Sequence, residues 1–218
     1  QGITGVAATM NERLSGIVQK EDIVVAEAGA GLSSLANFAM QRGLSGLEFA
    51  AGIPGSVGGA LYMNAGAYGG EMAQVVEWVR VLTPDGEVKT LTAEEMKFGY
   101  RTSVLKEIPY IALACGIRLV QGDAETIREV MLDLANRRKE KQPLEFPSAG
   151  STFKRPEGYF AGKLIEDAGL KGCRIGGACV SEKHSGFVVN KGGATASDII
   201  KLIKKIRMTV NEKFGVML

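Results

Sequence analysis

The chain holds only three cysteines, Cys115, Cys173 and Cys179, in 218 residues. They are too few and too scattered for a disulfide framework, and no CxxC pair occurs, so the natural compartment is a reducing one. One histidine, His184, cannot build a zinc site, and no metal is expected. No block of like charge exists: 26 Lys and Arg stand against 24 Asp and Glu, a formal net charge of +2. Such a balance gives no field able to bring in nucleic acid or an anionic membrane surface, so neither is expected as a partner and any anionic ligand must be gripped locally. No apolar run approaches the ~18 to 20 residues that span a bilayer. No basic stretch followed by an apolar one marks a signal peptide, and the expected location is the cytoplasm. Three signatures are missing as well. There is no GxxxxGK[ST], no GxGxxG opening a helix between parallel strands, and no GxSxG, so the usual nucleotide folds and a serine hydrolase lose support.

What is present is glycine. Average usage of ~7% would give about 15, whereas the chain has 29, without a Gly-X-Y period. With 45% hydrophobic and 23% charged residues, it can bury a core of ordinary size in one or two domains. The opening QGITGVAAT reads as the edge of a sheet already under way, and FGVML stops on an apolar run, so segments are expected beyond both ends. Ile23 to Gly31 reads as a buried strand running into glycines. Leu32 to Arg42 reads as a helix on Leu35, Phe38 and Ala39, stopped by Gly43. From Gly43 to Gly70 the chain shows neither helical nor strand periodicity and reads as a backbone-shaped surface. Val75 to Thr92 alternates around Pro84-Asp85-Gly86, a hairpin, and Tyr110 to Val120 is another strand.

Behind Asp123, the residues Ile127, Val130, Met131 and Leu134 recur at helical spacing, with basic residues gathered at the far end, and the helix must stop before Pro143. PLEFPSAGSTFKRPEG is irregular and marks a domain boundary, giving domains 1–142 and 143–218. AGKLIEDAGLKG reads as a short helix closed by Gly169, and FVVN as a strand. Thr195 and Asp198 form a capping box for a last helix with Ile199, Ile203, Ile206 and Val210 on one face.

Chemistry is expected in three places. Backbone without Cβ atoms can approach a ligand and aim N–H groups at its oxygens, so the glycine-dense stretch suits a flat ligand, with the Asn64 amide as both donor and acceptor. Tight-turn structure alone explains such glycines equally well. Arg101 in FGYRTS offers a fork that pairs bidentately with a carboxylate, or else a surface salt bridge. Ser151 and Lys154 lie on the loop SAGSTFKRP, where a serine can be nucleophile, proton donor or simply a turn former. His184 has no evident orienting acid and also suits a structural role. Cys115 and Cys179 lie in apolar runs and read as core residues.

In order and wording these segments resemble the UDP-N-acetylenolpyruvoylglucosamine reductases of bacterial cell-wall synthesis. The motifs that carry the resemblance are GLEFAAGIPGSVGGALYMNAGAYGGEM, FGYRTS, RRKEKQPLEFPSAGSTFKRP, AGKLIEDAGLKGCRIGGACVSEKHSGFVVN and the helix running into VNEKFGVML. The resemblance implies an α+β fold. Residues 1–142 would be the second FAD-binding subdomain of the vanillyl-alcohol-oxidase (PCMH-like) type. Residues 143–218 would be a smaller α+β substrate-binding domain whose last helix returns toward the flavin domain. It implies FAD as cofactor and NADPH as donor, with hydride passing by way of the flavin to C3 of UDP-N-acetylglucosamine enolpyruvate to give UDP-N-acetylmuramate.

In that family pattern Arg101 matches the carboxylate-binding arginine and Ser151 the serine that protonates C2. Gly52, Ile53, Pro54, Gly55, Ser56, Gly58, Asn64, Gly66 and Ala67 match the stretch that faces the flavin. Tyr100, Lys141, Lys154, His184 and Asn190 fall at or beside substrate-pocket positions, with Arg137, Arg138 or Lys141 taking the part of a tyrosine loop that the compact form lacks. Three departures stand out. Gln1 to Gly31 carries no GGGSN-like pyrophosphate loop, no acidic segment with a glutamate follows GVML, and Arg155 replaces an asparagine. The first two imply a fragment that alone binds FAD weakly and turns over little. Stoichiometric FAD retention with NADPH-dependent turnover by these residues would contradict that expectation. Two alternatives remain open to the sequence: another flavin oxidoreductase of the same fold, or a non-catalytic UDP-sugar-binding fragment.

Overall fold

The computed structural model describes residues 9–10 and 13–218. The sheet edge expected of QGITGVAAT falls almost wholly outside the described residues. The chain divides into two compact units, 1–136 and 137–218, each a mixture of helices and antiparallel sheet, the α+β class expected.

In the first unit β1 (Ile17–Lys20) and β2 (Ile23–Glu27) pair antiparallel. Helix α1 (Leu32–Met40) buries Leu32, Leu35, Ala36 and Ala39 and ends before Gly43, at φ 66°. The strand β3 (Leu44–Ser45) follows. Within the stretch Gly43 to Gly70, which reads as a backbone-shaped surface without helical periodicity, lies a helix, α2 (Val57–Met63), which corrects that expectation. The Ser56 hydroxyl caps it by accepting from the Gly59 N–H at 3.2 Å, and Asn64 closes it in the left-handed conformation. Two glycines in its first turns weaken its intrinsic propensity, and its hold on the fold is Val57, Ala60 and Leu61, all buried. The short hairpin β4 (Gly66–Ala67) and β5 (Gly70–Glu71) comes next. The expected longer hairpin is β6 (Val76–Leu82) and β7 (Val88–Thr92) around Gly86 at φ 85°. Then come β8 (Ile111–Arg118) and β9 (Val120–Gln121).

The main sheet runs β1-β2-β8-β6-β7. Val24 and Ala26 of β2, Val79 and Val81 of β6, and Cys115 and Ile117 of β8 turn inward to join α1 and α2 in one core. Burial pushes the Cys115 thiol up to about 12, so it stays protonated and inert. Gly116 of β8 stands opposite Trp78 of β6, and a β-carbon there would lie 2.2 Å from the indole. Gly116→Ala is therefore expected to lower stability by about 2 kcal/mol through overpacking, read as a shifted midpoint in urea.

Helix α3 (Ala124–Lys141) starts where Asp123 Oδ2 accepts the Thr126 N–H at 2.8 Å. Of its expected apolar stripe only Ile127 is buried, and Val130 is 43% exposed, so the helix is less submerged than its periodicity suggests.

In the second unit the stretch read as irregular contains β10 (Ser148–Ser151). Then follow α4 (Ala161–Asp167), β11 (Arg174–Ile175), β12 (Ala178–Val180), β13 (Phe187–Asn190) and α5 (Ala196–Phe214). The sheet order is β10-β13-β12-β11. Both halves of the Thr195–Asp198 capping box are made. The buried stripe of α5 is Leu202, Ile206 and Val210, with Ile199 exposed, which turns the expected face by a fraction of a turn.

Candidate functional site

In the first unit the glycine-rich stretch wraps α2. Gly55 takes φ 131°, and no heavy atom lies within 4 Å of where its β-carbon would be. Its carbonyl accepts the Leu32 N–H at 2.9 Å, and the Gly58 N–H donates to the Ala28 carbonyl at 2.8 Å, which seats the first turn of α2 on the end of β2. A β-carbon at Gly58 would press within 3.1 Å of Ala28. Gly52, Pro54 and Gly55 are exposed, whereas Ile53 is half-buried and packs on the core. Among the described residues the N–H groups of Gly52, Gly55 and Ser56 have no protein acceptor. A cavity of about 360 Å³ opens here, lined by Gly29, Ser56, Gly58, Gly59 and Tyr62. Of the three residues with open donors, Ser56 lines the cavity, and beside the bare backbone of Gly29, Gly58 and Gly59 it fits the edge of a flat, hydrogen-bonding ring system such as a flavin.

The other end of α2 carries charge. Gly99 and Thr102 exchange both backbone hydrogen bonds, at 3.1 and 3.2 Å, so Tyr100 and Arg101 form the tip of a two-residue turn. Arg101 sits at φ 55°. Its guanidinium donates to the carbonyls of Gly66 at 2.6 Å and Asn64 at 3.4 Å. A guanidinium carries five N–H donors, so donors remain for a carboxylate. Tyr100 is 52% exposed, and the Arg101 guanidinium lies 5.2 Å from its ring. The structure thus joins Arg101 to Asn64 and Gly66, with Ala67 next along β4.

Asn64 differs from expectation in one respect. It has no exposed surface, and its amide is used inside the protein, donating to the Gly99 carbonyl and accepting from the Ala73 N–H. Three supporting residues escaped the sequence reading. Ser103, buried, donates its hydroxyl to the Tyr62 carbonyl at 3.0 Å. The Lys106 ammonium donates to the Arg101 carbonyl at 2.9 Å, and Gly99 receives the Asn64 amide. Ser103 stands in FGYRTS and could have been read as a turn anchor. The Lys106 contact leaves no sequence signal.

In the second unit Ser151 ends β10 opposite Phe187. Between Ser148 and Ser151 the register slips by one residue, with Gly150 at φ 86°. Such a bulge re-aims the side chain that follows it, and Ser151 is exposed. Thr152 pins the strand end, donating its N–H to the Gly186 carbonyl at 2.9 Å and accepting the Val188 N–H at its hydroxyl. The His184 ring meets Phe187 edge-on with centroids 4.9 Å apart, so Ser151 and His184 share one neighbour. His184 Nδ1 accepts the Gly186 N–H at 3.1 Å, which leaves Nε2–H as the ring's donor when neutral.

Asn190 stands at the far end of β13, its side-chain oxygen accepting from the Gly192 and Ala194 N–H groups. Lys141 and Lys154 are exposed and, among the described residues, no hydrogen bond or ion pair ties them to Ser151 or His184. The Arg155 guanidinium lies 4.4 Å from the Phe160 ring. Ser185 is buried, and its hydroxyl has no partner among the described residues. Among the described residues no helix is long and apolar enough to cross a membrane.

Comparison with known proteins matches two stretches of the chain to family models. Residues 142–218 match the family model described as UDP-N-acetylenolpyruvoylglucosamine reductase, C-terminal domain, and residues 2–92 match the one described as FAD binding domain. The UDP-N-acetylenolpyruvoylglucosamine reductase of Clostridium perfringens is 53% identical over 215 residues, which is 99% of this chain and 70% of the relative. That of Caldanaerobacter subterraneus is 55% identical over 216 residues, 99% of this chain and 71% of the relative. The crystal structure of the Thermus caldophilus reductase superposes with a TM-score of 0.77 at 40% identity, covering 88% of this chain and 69% of that one. The chain therefore belongs to the UDP-N-acetylenolpyruvoylglucosamine reductase family.

Proposed function

We propose that the chain, which spans about 70% of the length of its relatives, serves within the whole enzyme the reduction of UDP-N-acetylglucosamine enolpyruvate to UDP-N-acetylmuramate, with NADPH as donor and FAD as cofactor, in the supply of peptidoglycan precursors. The observation that carries this reading is the Arg101 guanidinium docked on the glycine-rich stretch at Gly66, with donors left over. Identity above half with reductases along almost the whole chain favours it over a different flavin oxidoreductase or a binding fragment.

FAD, when bound, supplies two-electron hydride chemistry between NADPH and C3 of the enolpyruvyl group. Gly52, Ile53, Pro54, Gly55, Ser56, Gly58, Gly66 and Ala67 form the backbone wall for that ring, and Asn64 holds the wall's far end. Arg101 binds the substrate carboxylate and stabilises the charge that spreads onto it as C3 gains hydride. Ser151 gives its hydroxyl proton to C2, completing the addition of two hydrogens across the double bond. A hydroxyl is a weak acid, but an enolate carbon is basic enough to take its proton when geometry is held. Lys141 and Lys154 offer ammonium groups to the diphosphate. His184 offers Nε2–H, Asn190 its remaining amide donors and Tyr100 its exposed ring to the sugar nucleotide. On this reading residues up to 142 hold the flavin and also present Tyr100, Arg101 and Lys141 to the substrate, 143–218 form the substrate-binding domain, and the protein works in the cytoplasm with neither nucleic acid nor membrane as partner.

The test is to supply the FAD-loaded enzyme with NADPH and UDP-N-acetylglucosamine enolpyruvate and to follow cofactor absorbance and product mass. The expected result is NADPH consumption matched by a product richer by two hydrogens. Binding of the UDP-sugar by calorimetry without any such product would favour the binding fragment.

A further inference from the structure

Asn64 is fully buried and ends α2 at φ 42°, ψ 61°. Its amide joins two segments distant in sequence. Nδ2 donates to the Gly99 carbonyl at 3.0 Å, and Oδ1 accepts the Ala73 N–H at 2.9 Å. Its own carbonyl accepts from the Arg101 guanidinium. Gly99 is the first residue of the two-residue turn that has Arg101 at its tip, and Arg101 holds a left-handed φ of 55°. A non-glycine side chain keeps that backbone only where its surroundings impose it. A short side chain that is at once donor and acceptor and tolerates the left-handed region is asparagine.

We propose that Asn64 is a positioning residue for Arg101: its amide fixes the Gly99–Thr102 turn on the C-terminal end of α2 and so sets where the guanidinium lies. The inference rests on the reading of Arg101 as the carboxylate clamp, and it takes Asn64 out of direct contact with any ligand. Transition-state charge is sensitive to displacements of about 1 Å, so a loosened turn acts on the substrate step.

Asn64→Gly tests it, because glycine takes the left-handed conformation freely while both side-chain bonds are lost. Amide hydrogen exchange on this chain needs neither cofactor nor turnover. The Gly99 and Thr102 N–H groups are expected to exchange at least about tenfold faster, with those of β8 unchanged. In the FAD-loaded enzyme, the substrate-driven half-reaction is expected to fall at least about tenfold further than the NADPH-driven one. Asn64→Asp keeps the acceptor for Ala73 but sets a carboxylate oxygen against the Gly99 carbonyl. It is expected to give the same two changes, and it serves if the glycine variant does not fold. Unchanged exchange at Gly99 and Thr102, or an equal fall in both half-reactions, overturns the proposal. Arg101→Lys in the same assay separates the two levels. If that variant keeps its full substrate rate, the clamp reading is what fails; if it loses the rate while Asn64→Gly does not, only the positioning role fails.

Discussion

Replacing Ser151 with alanine is expected to cut product formation by about 10³-fold while NADPH still reduces the bound flavin, within the range for loss of a positioned proton donor. Only one hydroxyl is removed. The strand end is held by backbone and by Thr152, whose N–H and hydroxyl bonds to Gly186 and Val188 do not involve the Ser151 side chain. The bulge at Gly150 and the pairing with Phe187 likewise belong to the backbone. The variant should therefore fold, bind substrate and stall at protonation of C2. Stopped-flow absorbance of the flavin, read separately with NADPH and with the enolpyruvyl substrate, checks this. Loss of both half-reactions would refute the proton-donor role, since a group that only protonates carbon has no part in the first.

Arg101→Lys is expected to lower the substrate-driven half-reaction by about 10²-fold, comparable to removing one donor from an oxyanion site. The guanidinium presents its donors in a rigid plane, and two of them are already fixed on the Asn64 and Gly66 carbonyls. A lysine ammonium is a point charge on a flexible stem and cannot hold those carbonyls and a carboxylate in the same plane. The backbone is braced independently, because Lys106 holds the Arg101 carbonyl and Ser103 holds α2. Full activity of the lysine variant would remove the clamp from the mechanism.

Elements with local signals were legible in the sequence. The α1 periodicity with its Gly43 stop, the Pro84-Asp85-Gly86 hairpin and the Thr195–Asp198 capping box each depend on residues a few positions apart. Helix α2 was not legible, because VGGALYM is a poor helix by propensity and forms on tertiary burial and on caps at Ser56 and Asn64. The same holds for β10, whose small polar residues SAGS become a strand only by pairing with β13. The buried face of α5 was displaced because Leu202 and Ile203 compete for one stripe, and packing chose Leu202.

At the site, the types of Arg101 and Ser151 suggested several chemistries, and the family resemblance supplied the particular one. The bonds that hold Arg101 in place run from Asn64 to Gly99 and from Gly66 to Arg101, each across 35 positions. No local pattern encodes a pairing of that span, so the sequence alone leaves the Asn64 amide open to a ligand.

A crystal structure of the enzyme with FAD and the enolpyruvyl substrate tests the central claim most directly. The predicted result is Arg101 N–H groups within about 3 Å of the substrate carboxylate and the Ser151 oxygen within reach of C2. A substrate whose carboxylate and C2 touch neither side chain would contradict it.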